Sequence, residues 1–132
     1  MLSTDPAVRT AYAADASGLI LTPDAVARPS NSAEVVELLQ RAAADGTAVT
    51  AAGGQSSMTG GSITDRGILL SLRGMDRILD LDPVARTVRV EPGIMVGDLK
   101  RRLAAEDSSL LPTPPARRRP PSAGRSPATP RG

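Results

Sequence analysis

The feature that most constrains the fold is an amphipathic stretch, residues 31–45, that carries helix signals at both ends. Asn31 and Glu34 have the spacing of a capping box, and Gly46 suits the left-handed position that ends a helix. Apolar side chains recur on one face at helical spacing, namely Val35, Val36, Leu38, Leu39, Ala42 and Ala43. The stretch is therefore predicted to be a helix.

Short strand-like runs lie on both sides of this helix, at residues 26–28 and 47–51. Strand, helix and strand in succession normally give two parallel strands joined by a right-handed crossover. A third run, residues 67–72 (GILLSL), is apolar on both faces, which is typical of a covered strand. The chain is therefore predicted to be built on a βαβ unit.

The next segment has the pattern of an antiparallel hairpin. Residues 77–82 and 87–91 are strand-like and flank a turn that contains Pro83. Arg89 and Glu91 are expected on its solvent face, opposite the valines of the same strand. Pro92-Gly93 is interpreted as the turn that closes the hairpin.

Helical segments are predicted at both ends of this arrangement, at residues 5–16 and from residue 96 to about residue 106. The order of βαβ unit, hairpin and helix predicts an α+β (α/β) domain. Asp80 and Asp82 alternate along one hairpin strand and are expected to be solvated surface acids, not a catalytic pair.

The residue types that are missing exclude most familiar site chemistries. The chain has no Cys, His, Trp or Phe, so disulfides, Cys/His metal sites, Ser-His-Asp catalysis and aromatic stacking of bases are all excluded. Ser56 and Ser57 have no His or nearby Lys as a base, so a nucleophilic serine is not expected. No apolar run approaches the ~20 residues of a membrane span, and a cytoplasmic protein is expected.

Residues 112–132 differ from the rest of the chain. They hold five Arg, seven of the 12 prolines and no acid, Val, Ile, Leu, Met or aromatic residue, a composition that cannot support a packed core. The remaining residues carry 11 basic and 14 acidic side chains, a net charge of −3. This Pro/Arg-rich tail leaves open a non-enzymatic function, as an interaction module that binds nucleic acid or a polyproline-recognition partner.

A glycine-rich loop, residues 53–61 (GGQSSMTGG), directly follows the second predicted strand. Its four glycines let backbone N–H groups converge on a ligand, and its hydroxyls add donors, which suits a phosphate or pyrophosphate. The loop has no Lys or Arg, so it is not a Walker A loop, and it lacks the Gly-x-Gly-x-x-Gly spacing. From composition alone it is either a ligand loop or a plain connection.

The order of these motifs resembles the FAD-linked oxidase family, the superfamily of vanillyl-alcohol oxidase and p-cresol methylhydroxylase (PCMH), nearest to its glycolate oxidase subunit and D-lactate dehydrogenase branch. The resemblance covers roughly residues 23–112. Its motifs are Val26-x-Arg28-Pro29-x-x-Ser32-x-Glu34-Val35, Gly46, the glycine-rich loop, Gly67-Ile68-Leu69-Leu70, Met75-x-x-Ile78, Asp82-Pro83, Thr87-x-x-Val90-Glu91-Pro92-Gly93 and Leu99.

The resemblance implies an FAD-binding portion of a flavin-dependent oxidoreductase that acts on a 2-hydroxy acid or a similar alcohol. In the family the first glycine-rich loop wraps the FAD pyrophosphate. The cofactor contacts implied here are Gly53, Gly54, Gln55, Ser56, Ser57, Met58, Thr59 and Gly60. Covalent flavin attachment in the family uses His or Cys, and this chain has neither, so non-covalent FAD is expected.

The resemblance also implies a domain layout: an N-terminal lead-in at residues 1–22, a partial PCMH-type FAD-binding domain at 23–111, and the tail at 112–132. Family members continue with a second cofactor segment and a substrate domain, so this N-terminal half is expected to be inactive alone, with other oxidase subunits as partners. The tail is expected to be disordered and out of frame. A permitted choice of codons for residues 112–132, read one base earlier, can spell DPTSEEATTVGGAIACNASG, which resembles that second segment.

Overall fold

A computed structural model describes residues 2–106 of the chain. The elements are β1 (Leu2–Ser3), α1 (Pro6–Ala11), β2 (Ala25–Ala27), α2 (Ser32–Asp45), β3 (Val49–Ala52), β4 (Ile68–Ser71), β5 (Ile78–Asp82), β6 (Thr87–Val90) and α3 (Val96–Glu106). The predictions for the tail, its disorder and its out-of-frame origin, lie outside the described residues. Within residues 2–106 no helix has the length and apolar character needed to cross a bilayer.

Four strands form the main sheet in the order β1-β2-β4-β3. Strands β2 and β3 run parallel to β4, as the predicted βαβ unit requires, and β1 is antiparallel to β2. The two strands of that unit do not pair with each other, because β4 lies between them. Leu69 and Leu70 of β4 are 0% and 4% exposed, so the most apolar strand takes a position where helices cover both of its faces.

Helix α2 begins and ends where its sequence signals predict. The Asn31 side chain accepts a hydrogen bond from the Glu34 backbone N–H at 3.0 Å. Glu34 reaches back one residue further than in a standard capping box, accepting from the Ser30 N–H at 2.7 Å. Gly46 ends the helix with φ of 65°, a conformation that glycine adopts without steric cost.

Helix α1 is shorter than predicted, because it ends at Ala11 and does not reach residue 16. After it the chain folds back on itself. The Leu21 N–H donates to the Ala13 carbonyl at 2.8 Å, and Ala14 forms an isolated antiparallel bridge with Ile20. These contacts use the backbone groups that a longer helix would need, so residues 13–21 form a closed loop.

Apolar side chains cover the sheet on both faces. Val26, Ala52 and Leu69 form one cluster, against which Val8 and Tyr12 of the N-terminal segment pack. On the other face, where α2 lies, the packed residues are Ala27, Leu38 and Leu70, with Val35, Val49, Ile68 and Leu72 around them. The sheet is therefore the middle layer of three.

Strands β5 and β6 form the predicted hairpin as a separate two-stranded sheet. The expectation that Glu91 faces solvent is wrong: it is 5% exposed and accepts hydrogen bonds from the Arg77 backbone N–H, Nε and Nη2 at 2.9, 3.1 and 2.7 Å. The Glu91 N–H still donates to the Arg77 carbonyl at 2.9 Å, and the Glu91 carboxylate is directed at Arg77 and not at solvent. The Arg77 hydrogen bonds hold the pKa of the Glu91 carboxyl below its ordinary value.

The acids of the hairpin and the turn after it match their predicted roles. Asp80 and Asp82 are exposed, and the Asp82 carboxylate accepts hydrogen bonds from two backbone N–H groups of the following turn, both at 2.9 Å. Gly93 donates its N–H to the Met75 carbonyl at 2.8 Å. A Cβ on Gly93 would overlap the Leu72 carbonyl oxygen, so this turn also brings the hairpin against the end of β4.

Candidate functional site

The glycine-rich loop, residues 53–61, begins where β3 ends. Because β2, β4 and β3 are parallel, their carboxyl ends lie at the same edge of the sheet. Arg28 and Arg73, which follow β2 and β4, are exposed at that edge. Ligands of open parallel sheets bind in the crevice outside these carboxyl ends, so the loop lies where a ligand is expected.

Most backbone donors of the loop have no partner in the folded chain. Within residues 2–106 no acceptor is present for the N–H groups of residues 53–58 or of Gly60. The Gly54 N–H is next in the β3–β4 ladder, but the Leu72 carbonyl that would accept it is bonded to the Met75 N–H at 2.9 Å. Seven N–H groups in eight residues are therefore available to an external acceptor.

The Ser57 hydroxyl shapes the loop from within. Its oxygen accepts hydrogen bonds from the Thr59 and Gly61 N–H groups at 3.3 and 3.0 Å and lies 3.4 Å from the Thr59 hydroxyl. Such side-chain to backbone bonds replace the bonds that regular structure would supply. The backbone turn at Gly61 is thus held by Ser57, while the exposed Ser56 and Met58 side chains make no hydrogen bond with other described residues.

Gln55 has a different role from its neighbours. It adopts the left-handed conformation, with φ of 52°, which is uncommon outside glycine. Its side-chain amide donates to the Tyr12 carbonyl at 2.9 Å and the Ala14 carbonyl at 3.1 Å. The side chain is therefore engaged with the N-terminal segment, and only the backbone N–H of Gln55 is available to a ligand.

Two glycines of the loop lie close to side chains of other segments. A Cβ on Gly54 would lie 3.2 Å from the Met95 Sδ, and the Gly54 carbonyl accepts from Arg73 Nη2 at 3.2 Å. Gly60 has φ of 78°, and its Cβ would lie 3.2 Å from Leu19 Cδ1. Larger residues at these positions would crowd or strain the loop.

Asp15 is a part of the site region that sequence reasoning missed. Its Oδ2 accepts from the hydroxyl of the buried Ser62 at 3.0 Å, and its Oδ1 accepts from the Ser17 N–H at 2.9 Å. The hydrogen bond from the Ser17 hydroxyl is the main reason why the pKa of the Asp15 carboxyl lies below its ordinary value. The Asp-x-Ser spacing predicts the local turn, but no local signal predicts the contact with Ser62, 47 residues away.

A cleft of about 260 Å³ lies beside the loop, where Met95 approaches Gly54. Its lining consists of Arg73, Asp76, Gly93, Met95 and Asp98. Within residues 2–106 no group of three or more acidic side chains is placed to hold a metal ion. The hydrogen-bond donors of this region include the backbone N–H groups of the loop and the guanidinium of Arg73.

The family of FAD binding domains matches residues 23–129 of the chain. The chain belongs to this family. The family, the FAD cofactor and the PCMH-type fold predicted from the sequence are confirmed. The match begins at Pro23, after the N-terminal lead-in.

Known proteins similar to this FAD-binding domain include two curated relatives. An L-gulono-1,4-lactone dehydrogenase of Mycobacterium tuberculosis is 34% identical over 85 residues, 64% of this chain and 20% of that protein. A glycolate oxidase subunit of Bacillus subtilis is 28% identical over 93 residues, 70% of this chain and 20% of that protein. The chain spans about a fifth of the length of the curated relatives it matches.

The fold of this FAD-binding domain also occurs in solved structures. In 6-hydroxy-D-nicotine oxidase from Arthrobacter nicotinovorans the superposition has a TM-score of 0.69 at 24% identity, covering 80% of this chain and 23% of that one. The loop chemistry fits FAD as well. A run of unpartnered N–H groups around glycines can approach a pyrophosphate closely and donate to its oxygens without a positively charged side chain in the loop.

Proposed function

We propose that this domain is the cofactor-binding portion of a flavin-dependent oxidoreductase that acts on a 2-hydroxy acid or a related alcohol or lactone, with the glycine-rich loop binding the FAD pyrophosphate. The observation that carries the proposal is the run of seven N–H groups, in residues 53–58 and Gly60, without an acceptor in the described chain. The names of the lactone dehydrogenase and glycolate oxidase relatives support the substrate class.

Each loop residue has a role in this proposal. Gly53, Gly54, Gln55, Ser56, Ser57, Met58 and Gly60 donate backbone N–H groups to the phosphates, and the hydroxyls of Ser57 and Thr59 hold the turn. Bound FAD would supply the hydride-accepting chemistry, and the residues of this domain would supply its binding and orientation. We propose that the catalytic groups come from other oxidase subunits or from the parts of the relatives that this chain does not span.

A flavin titration tests the proposal. Purified chain is mixed with FAD, and the absorbance between the near ultraviolet and the blue and the flavin fluorescence are recorded. Saturable binding is expected, and acid precipitation is expected to release all of the flavin, because the chain has neither His nor Cys for a covalent link. The absence of saturable binding would overturn the proposal, and yellow colour retained by the washed pellet would overturn its non-covalent part.

An activity assay tests the proposal that the catalytic groups lie outside this chain. The chain with added FAD is expected to show no dye-linked oxidation of glycolate or lactate above a Gly54→Val control, because it spans about a fifth of the length of the relatives it matches. The carboxylates that line the cleft beside the loop, Asp76 and Asp98, are also ion-paired with Arg102 and Arg101. Turnover that exceeds this control would show that the chain itself carries the catalytic groups.

A further inference from the structure

We propose that residues 12–20, here called the N-terminal brace, hold the glycine-rich loop in its ligand-receiving conformation, with Gln55 and Asp15 as the positioning residues. This inference rests on the proposed function for the identity of the ligand. The brace lies before Pro23, where the match to the FAD binding family begins, so the family assignment says nothing about it.

The brace contacts the loop near its start and near its end, and it also contacts Ser62, the residue that follows the loop. Near the start, the Gln55 side chain donates to the Tyr12 and Ala14 carbonyls at 2.9 and 3.1 Å. Just past its end, the Ser62 hydroxyl donates to Asp15 at 3.0 Å. These hydrogen bonds join residues 41 to 47 positions apart, so they fix the loop against a distant part of the chain.

Between these hydrogen bonds, Leu19 approaches Gly60. A Cβ on Gly60 would lie 3.2 Å from Leu19 Cδ1, so the glycine allows the brace to come close at this point. The stretch in between contains the N–H groups that have no acceptor within residues 2–106. The brace thus limits the loop from outside and leaves its donors free.

The brace is itself fixed to the sheet. Val8 and Tyr12 pack against the buried cluster that contains Val26 and Leu69. Ala13 is 2% exposed, and its carbonyl accepts from the Leu21 N–H at 2.8 Å. Tyr12 and Ala14, whose carbonyls accept from the Gln55 amide, flank this fixed residue, so Gln55 is not bonded to a free end of the chain.

The brace is expected to raise the affinity for the cofactor because it orders the loop before the cofactor binds. A loop with unpartnered N–H groups loses conformational freedom when it closes on an anion, and a loop that is already ordered loses less. The Gln55 backbone stays in the left-handed region because its side chain is held by the two carbonyls. Asp15 has no donor and carries negative charge, so its contribution to the binding of a pyrophosphate is through position and not through contact.

Three variants test the brace. Gln55→Gly keeps the left-handed backbone without strain and deletes the two side-chain hydrogen bonds. Asp15→Ala deletes the acceptor for Ser62, whereas Asp15→Asn keeps a side-chain oxygen and removes the charge. Thr22→Ala, at an exposed position that makes no side-chain hydrogen bond with the described residues, is the matched control.

The first measurement is the amide order parameter of residues 53–60 in the ligand-free chain. Values near about 0.85 are expected for the unaltered chain, Asp15→Asn and Thr22→Ala, and values below about 0.6 for Gln55→Gly and Asp15→Ala. Amide signals outside residues 12–20 and 53–62 are expected to stay in place, which separates a loosened loop from an unfolded chain. Unchanged order parameters in both deletion variants would overturn the proposal, even if FAD does not bind.

The second measurement is the FAD dissociation constant, from flavin fluorescence. Gln55→Gly and Asp15→Ala are each expected to raise it by about twofold to tenfold, the range for one or two lost hydrogen bonds, with Asp15→Asn restoring most of the affinity. The double variant is expected to fall short of the product, because both changes release the same brace. A fully multiplicative loss would mean that Gln55 and Asp15 act independently, which would overturn the inference of one shared brace. Failure of the unaltered chain to bind FAD would instead overturn the proposed function.

Discussion

The parallel sheet and the hairpin of this domain are stabilised in different ways. In the sheet, Val26 and Leu69 are 0% exposed, and helices or the N-terminal segment cover both faces. In the hairpin, no apolar side chain between residues 77 and 90 is buried, and Leu79 and Val84 are 54% and 93% exposed. The sheet is held by apolar burial, and the hairpin is held by a polar clamp, Arg77 with Glu91, and by the close approach of Gly93.

This difference explains where the candidate site lies. A ligand loop needs a rigid support, and the loop at residues 53–61 extends from a strand of the buried sheet. Met95, which follows the hairpin in the chain, lies beside Gly54 of the loop. Changes in the sheet are therefore expected to affect the whole domain, and changes in the hairpin to act locally.

The largest effect is expected from Leu69→Ala, in the middle strand of the sheet. It removes a fully buried side chain, so the free energy of unfolding should fall by about 2–5 kcal/mol. The matched control, Leu79→Ala in the hairpin, should change it by less than about 0.5 kcal/mol. Urea unfolding followed by circular dichroism measures both. An equal loss of unfolding free energy in the two variants would contradict the difference in stabilisation between the sheet and the hairpin.

Gly93→Ala is expected to have the next largest effect. The new Cβ overlaps the Leu72 carbonyl oxygen, so the backbone must shift, at a cost of about 1–3 kcal/mol. Gly97→Ala is the control, because its Cβ meets only the Arg101 side chain at 3.7 Å and alanine favours helix α3. Urea midpoints measure the difference in stability. An unchanged urea midpoint for Gly93→Ala would show that the hairpin does not pack against the end of β4.

The smallest effect is expected from Glu91→Gln, and it depends on pH. Because the folded-state pKa of Glu91 lies below its ordinary value, its ion pair with Arg77 stabilises the fold above the unfolded pKa and is lost as the pH falls through the folded one. Urea midpoints of the unaltered chain and Glu91→Gln should therefore differ near neutral pH and converge below about pH 4. A constant gap at all pH values would contradict the role of this clamp.

Local signals predicted much of this architecture. The caps at Asn31 and Gly46 fixed the ends of α2, and the apolar run around Leu69 predicted a covered strand, because these patterns depend only on near neighbours and on burial. The pairing of β4 between β2 and β3 was not predicted, since strand order depends on contacts between distant segments. Glu91 was wrongly expected to face solvent for a similar reason, because strand alternation does not reveal the contact of its carboxylate with Arg77, 14 residues earlier.

The sequence predicted the glycine-rich loop and its backbone donors, but not the contacts that hold the loop; its role as the cofactor site stays a prediction. Glycines and hydroxyls after a strand predicted a loop for pyrophosphate, and the structure leaves the backbone donors of that loop free within residues 2–106. The hydrogen bonds between Gln55 and Tyr12 and between Ser62 and Asp15 join positions more than 40 residues apart, and no local sequence pattern predicts such pairs.

The central claim is that the glycine-rich loop binds the FAD pyrophosphate, and the FAD dissociation constant of a loop variant tests it most directly. Gly54→Val with Gly60→Val puts β-branched side chains against Met95 and Leu19 where close backbone approach is proposed. Ala51→Val, at an exposed position of β3 just before the loop, is the matched control. The account predicts a dissociation constant at least about tenfold higher for the double variant, a loss of about 1.4 kcal/mol, and an unchanged one for Ala51→Val. Equal FAD affinity in the unaltered chain and the double variant would contradict it.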